Sequence, residues 1–226
     1  MRADQRRPAV VDECVSLHYT AVPAQPWPAL EAAWLPRVPA GKRESLARLR
    51  APADRNASLL GIALLARALA ARGRALEDCA LEYPPRAKPR LARGPDFSIA
   101  HAGGIVGCAL ATGGRVGLDV EPDRPLAASA LRRALAAETL AAVADGRLEP
   151  VRAWVMTEAV LKAAGRGVEA AARVRLESVA ATLDDERFVL VPLALATAHV
   201  GYLAHEGARL ELATVRHEAS EFAPLS

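Results

Sequence analysis

Aromatic side chains are scarce in this sequence. Three Trp, three Tyr and three Phe make up 4% of 226 residues, too few for stacking platforms that hold bases. Charge of one sign is scarce as well: 29 Lys plus Arg stand against 26 Asp plus Glu, a net +3. No dense basic run is interleaved with aromatics, so nucleic acid is not expected as a partner. The mild excess fits an anionic small molecule or an acidic protein. The three cysteines, Cys14, Cys79 and Cys108, lie far apart with no C-x-x-C. That spacing argues against disulfides and zinc and fits a reduced, cytoplasmic compartment. No apolar core follows MRADQRR, so no signal peptide is expected. The most apolar stretch, ASLLGIALLARALA, is interrupted by Arg67 and is too short to span a membrane. The P-loop pattern G-x-x-x-x-G-K-[ST] is missing.

Hydrophobic residues are plentiful at 52%, enough for a sizeable core in one large domain or two small ones. Residues 1–40 are Pro-rich, with a short strand expected at CVSLHYTAV and a helix from Trp27 to Leu35. A second helix is expected over Ala40 to Arg50. ADRNASLLGIALLARALAARG predicts a long helix capped by Asp54 or Asn56 and stopped by Gly73, with Leu59, Leu60, Leu64 and Leu65 as its buried stripe. A Pro-rich basic loop, PPRAKPRLARGPD, precedes FSIAHAGGIVGCALAT, which predicts strand, turn and strand. After a glycine turn, GRVGLDVE predicts another strand. Helical patterns fill Ala127 to Ala144 and Pro150 to Ala164. Strand-like runs follow in RVRLESVAATL, RFVLVPLAL, AHVGYLAHE and RLELATVRH. The order of elements loosely repeats, with a boundary near Gly113 to Val116.

Three constellations carry chemistry. In GRVGLDVEPDR, Val116, Leu118 and Val120 alternate with Gly117, Asp119 and Glu121. A strand therefore sets the apolar residues on one face and two mutually repelling carboxylates on the other. That face is either the solvated side of an edge strand or a hard-cation site, since Mg²⁺ takes carboxylate oxygens and removes the repulsion. In WVMTEAVLKAAGRG, Glu158 and Lys162 are four residues apart and share a helix face. They form either a surface ion pair or an acid and a base presented by a buried helix. In FSIAHAGG, His101 sits at a strand end before two glycines, as a structural histidine or a ligand contact.

Taken in order, RAKP (86–89), FSIAHA (97–102), GLDVE (117–121) and WVMTEAVLKAAGRG (154–167) resemble the motif series of the 4′-phosphopantetheinyl transferases of the large two-lobed type. SLLG (58–61) resembles that family too, and the likeness spans roughly residues 42 to 167. The resemblance implies an α+β fold of two similar α/β lobes, residues 1–115 and 116–226. Each lobe has a small antiparallel-type sheet and a long helix, and a pseudo-twofold axis relates them around an active-site cleft. It implies transfer of 4′-phosphopantetheine from coenzyme A to a serine of an apo acyl or peptidyl carrier protein, with Mg²⁺ as cofactor and adenosine 3′,5′-bisphosphate released. A cytoplasmic monomer serving polyketide or peptide synthesis is the corresponding expectation.

By resemblance, Asp119, Glu121 and Glu158 hold the metal, and Lys162 reaches the pyrophosphate. His101 and Lys42 meet the 3′-phosphate, while Lys88 and Pro89 border the adenine. Glu158 or a water on the metal takes the serine proton, with Glu138 as a looser candidate. Three positions depart from the family. Ala100 replaces a Ser, Thr157 stands where a Lys precedes the Glu, and Ala57 stands where relatives have an Arg, for which Arg55 or Arg48 would have to substitute. These departures keep open a degenerate relative that binds carrier protein or coenzyme A without transfer. Apart from the resemblance, another Mg²⁺-dependent nucleotide-phosphate enzyme is the third class. The expected docking surface for the carrier is Pro122 to Ala144, where Arg124, Arg132 and Arg133 accompany leucines.

Overall fold

A computed structural model describes residues 14–207 and 210–224, apart from the side chains of Ala130 and Arg133. Strand β1 (Cys14–Ala21) leads into α1 (Pro28–Trp34), a short 3₁₀ turn, α2 (Ala40–Ala47), α3 (Pro52–Ala70) and α4 (Leu76–Cys79). The small strands β2 (Leu81–Glu82) and β3 (Arg90–Leu91) frame the Pro-rich basic loop. They precede β4 (Asp96–Ala102), β5 (Ile105–Ala111) and β6 (Val116–Pro122). Helices α5 (Ala128–Ala134), α6 (Ala137–Ala144) and α7 (Pro150–Ala164) follow. The chain then runs through β7 (Val174–Leu176), β8 (Ala180–Leu183), β9 (Glu186–Leu193), β10 (His199–His205) and β11 (Glu211–Arg216).

The architecture is α+β. One sheet has the order β11-β1-β5-β4 and a second has the order β6-β10-β9-β8-β7. The passage from one sheet to the other falls between β5 and β6. The last strand crosses back: β11 pairs in parallel with β1, so residues 211–216 join the first sheet. Three layers of apolar packing hold the sheets and helices together. Leu59, Leu60, Leu64 and Leu65 of α3 are fully buried against β4 and β5 with Phe97, Val106 and Leu110. Val155, Ala159 and Val160 of α7 pack with Phe188, Leu190 and Ala204 of the second sheet. Between the sheets lie Val15, Leu17, Ala109, Val116, Leu118, Val120 and Leu203. Each sheet thus has a long helix on its outer face and the other sheet on its inner one. Among the described residues, no helix is long and apolar enough to cross a membrane.

Two local expectations are corrected. Helix α3 starts at Pro52, with Ala51 as N-cap and no side-chain cap, because proline at the first helical position supplies the required φ without needing an N–H partner. Asn56 is therefore inside the helix. Buried, it donates from Nδ2 to the carbonyls of Pro23 and Gln25, each at 2.8 Å. The helix expected over Ala127 to Ala144 is two helices, because Leu135 and Ala136 are extended and buried. Burial of Leu135 with Leu131 and Ala153 outweighs an unbroken helical pattern that contains neither Gly nor Pro. The leucines of that segment therefore belong to the core, while Arg132 is exposed. The side chain of Arg133 lies outside the described residues.

Candidate active site

Strand β6 and helix α7 build the site. The inward residues of β6 fix its pleat, so Gly117, Asp119 and Glu121 face α7. Gly117 lets the helix come close: a Cβ there would stand 1.9 Å from the Ala159 carbonyl oxygen and 2.4 Å from the Ala163 nitrogen. The residues just before those alanines are Glu158 and Lys162, which are thereby carried to the acidic face of the strand.

Asp119 is 5% exposed. Its Oδ1 accepts from Lys162 Nζ at 2.6 Å, while Oδ2 is buried without a partner. Burial pushes the Asp119 carboxyl above the usual range, against the pull of Lys162. Burial raises Glu121 as well, and Asp119 adds to it, with Lys162 and Arg124 opposing. Glu158 is raised by burial, lowered by Lys162 and raised again by Asp119 and Glu121. Lys162 is therefore the resident counter-ion of three carboxylates, and with all of them ionised two formal negative charges remain. A divalent cation would cancel that remainder, and the orphaned Asp119 oxygen is a hard donor of the kind Mg²⁺ accepts. The donor set fits such an ion, although among the described residues no three His, Cys, Asp or Glu side chains stand ready to hold a metal as they are.

Beside this cluster is a cleft of about 300 Å³, with Lys88 and Pro89 of the basic loop, Phe97, Ser98 and Ile99 of β4, and Lys162 and Gly165–Gly167 after α7 among its lining. Helix α7 stops there because Gly165 takes φ +65° and the Arg166 N–H donates to the Leu161 carbonyl at 2.9 Å. Pro89 and Lys162 thus line one cleft. Lys88 lines it too, but its ammonium is directed to Asp96 and to the Val116 carbonyl at 2.7 Å. Burial lowers the Lys88 pKa and Asp96 resists that shift. Asp96 Oδ2 in turn accepts from the Val116 N–H at 2.8 Å, and Ser98 Oγ accepts from the Leu118 N–H at 3.0 Å. Side chains on the edge of the first sheet therefore satisfy the free backbone edge of β6 and join the two sheets.

His101 ends β4. Its ring is exposed by surface area yet closely surrounded, and that crowding lowers its pKa; Asp54 opposes the shift, while Lys162 and Lys42 add to it. Lys42 of α2 lies with Nζ 5.4 Å from the centre of the Tyr83 ring and is lowered by burial. Lys162 and Lys42, from two other elements, thus both bear on His101. Glu138 is elsewhere: exposed on α6, it pairs with Arg175 at 3.4 Å.

The three departures read differently in three dimensions. Thr157 is 1% exposed and donates to the Ala153 carbonyl at 2.8 Å, so that position faces the interior. Ala57 is buried on α3, and Arg55 is turned to Glu31 and the Leu49 carbonyl. Ala100 follows Asp96 and Ser98 on the same face of β4 and is buried between the sheets. A serine there would face β6. Sequence reasoning missed Gly117, Asp96, Ser98, Tyr83, Arg86 and Arg166. Only the arginines left a signal, in the basic loop and in the G-R-G after α7.

Fold and site together define an α+β protein with an acidic cluster beside a basic cleft. No protein-family model matches the chain, and no curated protein matches it.

Proposed function

We propose that this protein is a 4′-phosphopantetheinyl transferase of the large two-lobed type, moving phosphopantetheine from coenzyme A to a serine of an apo acyl or peptidyl carrier protein. The observation that carries this reading is the Asp119–Glu121–Glu158–Lys162 cluster, whose Lys162 also lines the adjoining cleft together with Arg86, Lys88 and Arg166. Two sheets, each backed by a long helix, support reading the halves as similar lobes around that cleft.

In the proposed reaction the serine oxygen forms a bond to the β-phosphorus of coenzyme A. The bond from that phosphorus to the oxygen bridging it to the α-phosphorus breaks, releasing adenosine 3′,5′-bisphosphate. Such displacements demand positioning and charge neutralisation above all. Asp119, Glu121 and Glu158 would hold Mg²⁺, which when bound neutralises pyrophosphate charge. Lys162 adds a cation to the lining of the cleft. Glu158 takes the serine proton, since a carboxylate whose pKa is raised by burial and by like charges is a stronger base. His101 and Lys42 meet the 3′-phosphate, and Pro89 borders the adenine.

The test is to incubate the protein with coenzyme A, Mg²⁺ and an apo carrier protein and to weigh the intact carrier. A gain of one phosphopantetheine is expected. A second reading, binding without transfer, is favoured by one observation: Lys162 already occupies Asp119 Oδ1. A carrier that forms a complex but keeps its mass would select it.

A further inference from the structure

We infer that Arg166 and Arg86 grip the phosphate groups of a nucleotide ligand in the cleft, an inference that rests on the cleft being the substrate site proposed above. Among the described residues, four cationic ones line it, Arg86, Lys88, Lys162 and Arg166, and no acidic one does. Two of the four are already paired. Lys88 is held by Asp96 and the Val116 carbonyl, and Lys162 by Asp119. Arg86 and Arg166 have exposed side chains without an ion pair or hydrogen bond among the described residues. The uncompensated charge of the cleft therefore resides on these two arginines.

Their backbones are set apart as well. Arg86 has φ +55°, a left-handed conformation that a non-glycine residue adopts at a cost. Arg166 is fixed by the turn that ends α7. They come from two different elements, the basic loop and the end of α7. Pro89 and Ile99 add an apolar surface to the same cleft. A guanidinium holds phosphate through two parallel N–H donors, which an ammonium cannot do. The cleft thus joins an apolar surface to two free guanidinium forks, a combination suited to a ligand with a flat ring and several phosphate oxygens.

Calorimetric titration with adenosine 3′,5′-bisphosphate, inorganic pyrophosphate and adenosine tests this. The wild type is expected to bind the bisphosphate and pyrophosphate well and adenosine at least tenfold more weakly. Arg166→Gln and Arg86→Gln should each weaken the bisphosphate by roughly tenfold or more, the effect of one lost charge-assisted contact, and leave adenosine unchanged. Arg166→Lys should recover only part of the loss. Both side chains are exposed, so melting temperatures should not move. Wild-type affinity in both Gln variants, or no binding of either phosphate ligand by the wild type, overturns the inference. If the phosphate ligands bind through the arginines while no carrier is modified, the transferase reading fails and the clamp stands. If carriers are modified and both Gln variants bind as the wild type does, the clamp alone fails.

Discussion

Gly117 lies directly beneath Ala159, so near that a Cβ would overlap the helix carbonyl at 1.9 Å. This contact sets the distance between a strand with two carboxylates and a helix with a third carboxylate and a lysine. Gly117→Ala should push α7 outward, because the obstacle is backbone and cannot rotate away. Overpacking of this kind costs about 1–3 kcal/mol. The Lys162–Asp119 contact, formed at 2.6 Å, should open as well. Thermal melts should show a lowered but cooperative transition, and carrier modification should fall far more than stability does. Unchanged turnover would show that the cluster tolerates helix displacement.

If the cluster takes a divalent cation as proposed, that ion should stabilise the fold. Mg²⁺ at a hundred times its dissociation constant should add about 2.7 kcal/mol if it binds only the native state. Melting temperature measured with and without Mg²⁺ reads this out without any turnover. Asp119→Asn and Glu158→Gln should abolish the shift. Lys162→Met should lower the metal-free melting temperature and enlarge the shift, because the carboxylates then lose the cation bonded to Asp119, leaving Arg124 beside Glu121. A Lys162→Met protein indifferent to Mg²⁺ would leave the cluster as an ion pair with two spectators.

Much of this arrangement was legible in the sequence, and the illegible parts share a physical cause. The alternation through β6 and the i, i+4 spacing of Glu158 and Lys162 are local periodicities, so they survive without tertiary information. Helix α3 and the hairpin of β4 and β5 were readable for the same reason. The role of Gly117 was not, because nothing in one strand says that a helix backbone will rest on it. Asp96 and Ser98 read as ordinary polar residues until the second sheet presents unpaired N–H groups to them. The break between α5 and α6 was hidden because burial of Leu135, a long-range gain, outweighs local helical preference. Position 157 looked like a lost cationic site only because a linear motif carries no inside and outside.

The pair of Lys88 and Asp96 makes a second kind of prediction. The Lys88 ammonium, with its side chain 16% exposed, depends on Asp96 and one carbonyl for compensation. Asp96→Ala strands that charge and also frees the Val116 N–H, which should cost about 3 kcal/mol or more. Lys88→Met leaves a carboxylate that still accepts from Val116 and should cost less. In the double variant the two costs should not add, since the stranded ammonium is gone. Urea unfolding of all four proteins gives the coupling directly. Additive losses would mean that the seam between the sheets does not depend on the pair.

The tail of the chain supplies a pH dependence. His18 of β1 is 5% exposed, and its Nδ1 lies 3.0 Å from His217 Nε2 with the two rings stacked at 5.3 Å. His217 Nδ1 is 3.2 Å from Glu221, and Arg72, bonded to Ser16, also acts on His18. Burial, then His217 and Arg72, push the His18 pKa from 6.5 down to about 4. The folded state therefore binds fewer protons than the unfolded chain between those values. Stability from neutral His18 is complete above pH 6.5, declines as pH falls, and levels off below about 4. Linkage puts the loss at about 2 kcal/mol by pH 5. The cluster carboxyls act in the opposite sense, because their raised pKa values favour the folded state as pH falls. The informative quantity is thus the difference between wild type and His18→Gln in urea unfolding at pH 8 and pH 5. The variant should be less stable at pH 8, having lost the stacked pair that helps hold the segment after β11 to the first sheet. It should also lose about 2 kcal/mol less than the wild type on acidification. Parallel losses in the two proteins would mean that His18 takes up its proton without disturbing the fold.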